Sequence, residues 1–226
     1  MELLEYHFSN LSGNLYHDKE NNTYEMFSNN GTPMHLNYLT FRELFKQMNE
    51  QKNLNILESG ISSAGTYSTY LFNEYIKKYG GRFWSVDINK SLVDTHQGNM
   101  CPGTTLTCND SVTFFSDWCD KNKGLYADVI YLDSWDLDWY DSHPAAMHGL
   151  NEYLSLLPSY NKNTLLLIDD TPSNPYWIDS RGSLYTDMIQ YYAKNNSLPG
   201  KGQYVLNVYK NADVLLHNYQ VLYKFN

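Results

Sequence analysis

The order of its apolar segments narrows the fold of this chain more than any other feature. Five short runs have the length and the branched or aromatic content of β-strands: 54–58, 82–87, 104–108, 127–133 and 164–169. Helical spacing of apolar residues precedes or separates them at 39–49, 66–78, 111–121 and 145–157. Strands that are apolar on both faces and alternate with helices form a parallel sheet covered on both sides. We therefore predict an α/β protein with a Rossmann-like, doubly wound sheet.

The end of the chain has a different pattern. Residues 204–209 and 214–225 resemble two strands, and the four residues between them leave no room for a helix. This pattern predicts a C-terminal antiparallel β-hairpin that completes a seven-stranded, mostly parallel sheet. Neither an internal repeat nor a Pro/Gly/Ser-rich linker marks a boundary, so we expect one domain over 1–226. Residues 1–52 would form an N-terminal helical cap and residues 53–226 the Rossmann-like core.

Composition excludes several classes of function. The formal net charge of −9 at pH 7, without a basic stripe, argues against a nucleic-acid substrate. Three cysteines without metal-ligand spacing are typical of reduced thiols in a cytoplasmic protein. The sequence starts without a signal-peptide pattern, and no apolar run approaches the roughly 18 residues of a spanning helix, so no membrane partner is expected. A small molecule is the expected partner, and the sequence leaves open a homo-oligomer.

The turn after the first strand and the ends of the next two strands suggest a ligand site. Ligands of open parallel sheets bind at the carboxyl ends of the strands, where strand order reverses. The residues there are Glu58, Gly60, Ala64, Gly65 and Thr66 after the first strand, Asp87 after the second, and Asp110 with Ser111 after the third. Glycines let a ligand approach backbone amides, and Asp87 is placed to bind ribose hydroxyls. Asp110 or Ser111 could equally cap the following helix.

Carboxylates also follow the fourth and fifth strands. Asp133 ends the fourth, and Asp169 and Asp170 end the fifth. If these strands are neighbours, three hard oxygen donors meet across a space of the size of a hydrated cation, the arrangement that Mg²⁺, Ca²⁺ or Mn²⁺ prefers. Each aspartate alone is better explained as a helix cap or a solvated side chain. The three together predict a divalent-metal site.

These motifs together resemble the class I S-adenosylmethionine-dependent methyltransferases. The resemblance covers about 53–172, and it implies that Glu58, Gly60 and the turn of Ala64, Gly65 and Thr66 line the methionine part, Asp87 the ribose, and Asp110 and Ser111 the adenine. Leu132 to Trp135 with the later Asp169 and Asp170 is similar to catechol O-methyltransferase and to metal-dependent sugar O-methyltransferases. That similarity implies Mg²⁺ at Asp133, Asp169 and Asp170, and Trp135 near the adenine. The chain departs from the family pattern at Ala64, where glycine is common, and at Asp136, where the catechol enzymes have a lysine.

The resemblance implies an S-adenosylmethionine-dependent, metal-dependent O-methyltransferase acting on a small-molecule hydroxyl. Asp136 is the first candidate for the general base, and Asp138 and His143 are the alternatives. A sugar acceptor is suggested by the mixed aromatic and polar residues of the loop after the metal ligands: Asn174, Tyr176, Trp177, Asp179 and Arg181. Two other classes stay open, a non-catalytic protein that binds the same cofactor and a nicotinamide-dependent oxidoreductase.

Overall fold

The computed structural model describes residues 2–11, 16–18, 23–25, 35–61, 65–174 and 183–226. The strands in these ranges are β1 (Tyr16–Asp18), β2 (Thr23–Glu25), β3 (Leu54–Ser59), β4 (Gly81–Asp87), β5 (Thr104–Cys108), β6 (Val129–Leu132), β7 (Leu165–Ile168), β8 (Ala212–His217) and β9 (Val221–Phe225). The helices are α1 (Glu2–Ser9), α2 (Tyr38–Met48), α3 (Ser68–Tyr79), α4 (Lys90–Gln97), α5 (Ser111–Lys121), α6 (His143–Ser155), α7 (Ser183–Asn195) and α8 (Val205–Val208), with a 3₁₀ turn at Leu157–Ser159.

The main sheet has seven strands in the order β5-β4-β3-β6-β7-β9-β8. The strands from β3 to β7 pair in parallel, whereas β9 runs antiparallel to both β7 and β8. Numbered within this sheet the order is 3-2-1-4-5-7-6, which is that of the class I methyltransferase fold. The predicted Rossmann-like sheet with an antiparallel C-terminal hairpin is thus confirmed. Strand order reverses between β3 and β6, and a crevice for ligands is expected there.

Two apolar cores cover the sheet, one on each face. The first joins α1, α2 and α3 to the sheet through buried side chains that include Phe8, Phe41, Phe72 and Tyr131. The second joins α5, α6 and α8 to the opposite face through Phe115, Trp118, Tyr153 and Val205. Because successive strand residues point to opposite faces, the all-apolar runs of β6 and β7 supply both cores at once. This double burial explains why those strands carry no polar residue before their ends.

Each of the five predicted parallel strands and four predicted helices is present, with ends shifted by at most two residues. The prediction was wrong about the first arm of the hairpin. Residues 204–209, predicted as the first arm, contain the short helix α8 instead. The two arms of the hairpin are β8 and β9, and nearly all of both falls within 214–225, which was predicted as the second arm alone. Val205 is buried, and the Tyr209 ring lies 4.7 Å from that of Tyr223, so apolar residues one turn apart pack the helix on the sheet.

Three further helices, α1, α4 and α7, were not predicted. Helix α4 buries only Val93, so it carries no apolar stripe that periodicity could reveal. Helix α1 lies in the segment predicted as an N-terminal helical cap, but no individual helix was predicted before residue 39. It is held by Leu4 and Phe8, one turn apart. Among the helices of the described ranges, none is both long enough and apolar enough to cross a membrane.

Candidate active site

A cavity of about 690 Å³ lies at the carboxyl edge of the parallel strands. Residues that follow β3, β4 and β5 form one side: Gly60, Ile61, Asp87, Ile88, Asn89, Asn109, Asp110 and Ser111. Residues that follow β6 and β7, with two from later elements, form the other: Asp133, Ser134, Trp135, Asp136, His148, Asp170 and Lys201. This is the position at which open α/β sheets bind ligands. Eight of the thirteen predicted site residues line this one cavity.

Gly60 makes the turn after β3 possible. Its φ is +82°, and a Cβ atom there would lie 2.3 Å from the carbonyl oxygen of Asp133. Only glycine can therefore bring the ends of β3 and β6 this close. Further along the turn Gly65 also has a positive φ, +58°, and is exposed, whereas Thr66 is buried and its carbonyl oxygen lies 2.8 Å from His7 Nε2. Ala64 lies outside the described residues.

Asp87 connects the ends of β3 and β4. One carboxylate oxygen accepts a hydrogen bond from the backbone N–H of Ile61 (2.9 Å), and the other accepts one from Asn89 (2.7 Å). Each oxygen has a second lone pair, and the side chain lines the cavity. The two backbone bonds fix the orientation of a carboxylate that is free to accept hydroxyl groups from a ligand.

Glu58 differs from its expected place, because it lies beneath the turn and does not line the cavity. The side chain is fully buried, and its oxygens accept hydrogen bonds from Ser68 (2.7 Å), Thr69 (2.7 Å) and Ser85 (2.6 Å). Burial raises the pKa of Glu58 to about 7, although the three hydroxyl groups act to lower it. Glu58 therefore ties the start of α3 to β3 and β4.

Asp110, Ser111 and His148 form the far wall of the cavity. Asp110 caps α5 by accepting a hydrogen bond from the Thr113 N–H (2.8 Å), which lowers its pKa. Ser111 Oγ lies 2.9 Å from His148 Nε2, and the His148 ring lies 5.1 Å from the Trp135 ring. Trp135 has a φ of +62° and is 54% exposed, so its ring stands at the mouth of the cavity. The capping role that the sequence left open for Asp110 is thus present, and it coexists with a place on the cavity wall.

The three predicted metal ligands do come together. One carboxylate oxygen from each of Asp133, Asp169 and Asp170 lies within 4.8 Å of the other two. Asp169 is buried and the other two are partly buried. Burial, followed by the charge of Asp133, raises the pKa of Asp169 to about 7. The proximity expected from neighbouring strands is therefore confirmed, and it concentrates negative charge at one end of the cavity.

Lys201 enters this cluster, and the sequence analysis did not identify it. Its Nζ atom donates to Asp133 Oδ1 (2.8 Å) and lies 3.0 Å from Asp170 Oδ2. Only 7% of its side chain is exposed. Burial opposes the charge of this ammonium, but the three aspartates outweigh burial and hold the pKa of Lys201 well above its usual value. The flanking Gly200 and Gly202 indicate a close backbone approach at this position, but they do not indicate that the acidic cluster is the partner of Lys201.

Both glycines and a third from α6 allow this approach of Lys201. Gly200 has a φ of +153°, and a Cβ atom there would lie 2.7 Å from the Asp170 carbonyl oxygen. The N–H of Lys201 donates to that same oxygen (3.1 Å), and the N–H of Gly202 donates to Thr171 Oγ1 (2.9 Å). On the other side, a Cβ atom at Gly149 would lie 2.4 Å from the Lys201 carbonyl oxygen. Backbone contacts therefore fix the base of the lysine side chain.

Neutral donors from distant parts of the chain complete the acidic cluster. Gln220 Nε2 donates to Asp169 Oδ1 (2.7 Å), and Asn37 Nδ2 lies 3.3 Å from the same oxygen. The Tyr219 hydroxyl donates to Asp170, and the Tyr131 hydroxyl donates to Asp133 Oδ2 (3.2 Å). The hairpin turn thus supplies two of these residues, which explains how the last strands of the sheet take part in the site.

The three candidate bases lie in different surroundings. Asp136 is exposed and lines the cavity. Asp138 instead closes a local turn by accepting hydrogen bonds from the N–H groups of Tyr140 (2.8 Å) and Asp141 (3.3 Å). The Nδ1 atom of His143 lies 2.7 Å from the Tyr204 hydroxyl, and neither His143 nor Asp138 lines the cavity. Of the three, Asp136 alone is placed to reach a ligand in it.

No protein-family model and no curated protein matches this sequence. Solved structures with a similar fold include a mutant of MtNAS, at 15% identity and a TM-score of 0.46 over 84% of this chain and 62% of that chain. LepI in complex with SAM is similar at 12% identity and a TM-score of 0.49, over 81% of this chain and 46% of that chain. The O-methyltransferase TomG from Streptomyces achromogenes, involved in tomaymycin synthesis, is similar at 9% identity and a TM-score of 0.47. The similarity covers 82% of this chain and 78% of that chain.

The chain thus spans less than two thirds of the length of the first two of these proteins. At identities of 9 to 15%, the similarity to these structures is one of fold alone.

Proposed function

We propose that this chain is an S-adenosylmethionine-dependent methyltransferase that transfers a methyl group to a hydroxyl of a small molecule. The observation that carries the proposal is that one cavity contains both the residues expected to hold the methyl donor and the carboxylates expected to act on the acceptor. Its volume, about 690 Å³, lies in the range of roughly 300 to 1,000 Å³ that is usual for small-molecule sites. The fold supports this proposal, because its strand reversal lies at the same edge.

The donor would be held by the wall that follows β3, β4 and β5. The turn at Gly60, which has no room for a side chain, would let the methionine part lie close to the backbone. Asp87, oriented by two backbone N–H groups, would accept the ribose hydroxyls. Asp110, Ser111 and the Trp135 ring would enclose the adenine, and the fit is supported by their shared place on the cavity lining.

The bound donor would supply a methyl group on a sulfonium centre, which is electrophilic. Asp136 would take the proton of the acceptor hydroxyl. The hydroxyl oxygen would then form the new bond to the methyl carbon while the bond from that carbon to sulfur breaks. The proton ends on Asp136 and the bonding electrons on sulfur. Holding the acceptor in line with the methyl group would contribute most of the acceleration.

The acceptor class follows from charge and size. A net charge of −9 disfavours a polyanionic acceptor, and a cavity of about 690 Å³ favours a small one. A sugar acceptor remains a proposal, since four of the five loop residues that suggested it lie outside the described residues. The metal requirement predicted from the sequence also remains a prediction, and the position of Lys201 within the acidic cluster favours a site without a metal ion.

Transfer of a labelled methyl group tests the proposal. The protein is incubated with methyl-labelled S-adenosylmethionine and a panel of sugars, nucleotide sugars and phenols, each with and without a chelator. We expect a labelled product with at least one hydroxyl acceptor. Asp136→Asn should lower kcat by about 10²- to 10⁴-fold, the usual contribution of a general base.

Asp138→Asn is the matched control, because that neighbouring carboxylate closes a turn and does not line the cavity. It should leave kcat within a factor of a few. Binding of the cofactor without transfer to any acceptor would favour a non-catalytic binding protein, and binding of a nicotinamide cofactor alone would favour an oxidoreductase.

A further inference from the structure

We propose that the ammonium group of Lys201 is the resident cation of the acidic cluster and takes the place of a divalent metal ion. The chain would then stabilise negative charge on the acceptor with its own side chain. The first part of this inference depends only on the geometry of the cluster, whereas its consequence for catalysis rests on the proposed function.

The position of Nζ is the first argument. It lies 2.8 Å from Asp133 Oδ1 and 3.0 Å from Asp170 Oδ2, so it bridges the two carboxylates that line the cavity. Mg²⁺ binds oxygen ligands at about 2.1 Å and would compete for these two oxygens, because the other oxygen of each carboxylate accepts from a tyrosine hydroxyl. A metal ion there would meet a like charge within a few ångströms, in a site where water screens little. The donor set therefore does not fit a divalent ion while Lys201 holds this position.

The remaining carboxylate oxygens are the second argument. Asp169 Oδ1 accepts from Gln220, Asp170 accepts from the Tyr219 hydroxyl, and Asp133 Oδ2 accepts from the Tyr131 hydroxyl. Every one of the three carboxylates thus has an oxygen bound by a neutral donor. Pairing of this kind is expected where buried charges are balanced within the protein, since unpaired buried groups are strongly destabilising.

The anchoring of the lysine is the third argument. Its own N–H donates to the Asp170 carbonyl oxygen at 3.1 Å, and its carbonyl oxygen packs against Gly149 of α6. Moving the ammonium away from the cluster would leave three carboxylates close together without a balancing charge. Lys201 is thus held in place from both its backbone and its side chain.

A cation at this position has a use in methyl transfer. Within the described part of the chain, the ammonium has two partners for its three N–H groups, and Lys201 lines the cavity. The third N–H is available to the acceptor oxygen, on which negative charge develops as Asp136 takes its proton. Preorganised donors of this kind contribute about 10²- to 10³-fold to a rate.

Titration of the full-length protein with Mn²⁺, followed by the electron paramagnetic resonance of the free ion, tests the inference without any methyl transfer. We expect no saturable binding to the unmodified protein up to about 1 mM Mn²⁺, the weak end of biological divalent-ion sites. Lys201→Met removes the charge and keeps an apolar stem, so it should create one Mn²⁺ site. Lys201→Arg keeps the charge and should bind none.

One Mn²⁺ bound by the unmodified protein and lost in Asp169→Asn would overturn the inference, as would a folded Lys201→Met variant that binds none. If Lys201→Met does not fold, the titration of the unmodified protein decides by itself. Failure of the proposed function would appear separately, as an absence of methyl transfer to any acceptor, with or without binding of S-adenosylmethionine. Where transfer is observed, a rate unchanged by chelator is expected, and a rate abolished by chelator would overturn this inference while leaving the methyltransferase intact.

Discussion

Gly60 is the residue at which backbone conformation and site geometry depend most directly on each other. A methyl group there would meet the Asp133 carbonyl oxygen at 2.3 Å, and the φ of +82° would be strained as well. We expect Gly60→Ala to lower the free energy of unfolding by about 3 kcal/mol, from strain and overpacking together. Chemical denaturation with urea measures the change.

Gly124→Ala is the matched control for Gly60→Ala. Gly124 has nearly the same φ, +86°, but no atom of the described residues lies within 4 Å of a Cβ atom there. Gly124→Ala should lower the free energy of unfolding by about 1 kcal/mol, from the strain of the positive φ alone. Equal losses in the two variants would contradict the close approach of β3 and β6 that we describe.

Glu58 gives stability a pH dependence. Burial raises its pKa to about 7 from an ordinary value of 4.5. Since the folded protein favours the neutral carboxyl group, its contribution is fully present below pH 4.5 and is lost as pH rises through 7. The free energy of unfolding should therefore fall by about 3 kcal/mol across this interval because of Glu58 alone.

Glu58→Gln removes this titration while keeping an acceptor for the hydroxyl groups of Ser68, Thr69 and Ser85. We expect the variant to lose less stability than the unmodified protein between pH 5 and pH 8, as measured by urea denaturation at each pH. Parallel pH profiles for the two proteins would show that Glu58 does not titrate in this range.

Single residues also mark where sequence interpretation succeeded and where it failed. Asp133, Asp169 and Asp170 could be predicted to meet because the carboxyl ends of adjacent parallel strands lie side by side. Lys201 could not be predicted to join them, because it is 68 residues from Asp133 and follows α7, a helix that the sequence pattern did not predict. A partner supplied by tertiary packing from an irregular segment leaves no periodic trace.

Among the secondary-structure elements, α6 makes the most specific contact with the site. Gly149 lies in the middle of this helix, where alanine would favour helix formation by about 1 kcal/mol. A Cβ atom at Gly149 would, however, lie 2.4 Å from the Lys201 carbonyl oxygen, which is backbone and cannot easily move. Propensity and packing therefore predict opposite signs for the same substitution.

We expect packing to dominate, so that Gly149→Ala destabilises the protein by about 2 kcal/mol, since overpacking costs up to about 3. Thermal or urea unfolding measures it. Gly98→Ala should be close to neutral, because a Cβ atom at this position meets nothing within 4 Å in the described part of the chain. A stabilising Gly149→Ala would mean that the segment containing Lys201 is not packed against α6.

The elements that were predicted correctly carry their pattern locally. Helix α2 buries Phe41, Leu44 and Met48 at helical spacing, and β6 and β7 are apolar throughout. The hairpin was misplaced because α8 is only four residues long, too short for a 3.6-residue period to be distinguished from alternation. Position along the sheet, and not local preference, determines which of these C-terminal residues form strands.

At the scale of the whole molecule, the cavity collects residues from Gly60 to Lys201, so its integrity depends on the packing of the entire sheet. A ligand that fills it binds the folded chain alone and must therefore stabilise the protein as a whole. The methyltransferase fold was predictable because alternating strands and helices admit few topologies. The identity of the ligand depends instead on side-chain chemistry at one edge, which is why it needs a measurement.

Thermal unfolding with added cofactors provides that measurement. At 100 times the dissociation constant, S-adenosylmethionine should add about 2.7 kcal/mol to the free energy of unfolding. For a chain of 226 residues this corresponds to a rise in Tm of about 5 to 10 °C. NAD⁺ at the same concentration should cause no rise in Tm. Asp87→Asn should weaken the effect of S-adenosylmethionine, because a single side-chain oxygen would remain to accept both the ribose hydroxyls and the N–H groups of Ile61 and Asn89. A rise with NAD⁺ alone would instead identify a nicotinamide-binding protein, since the same glycine turn and carboxylate can serve either cofactor.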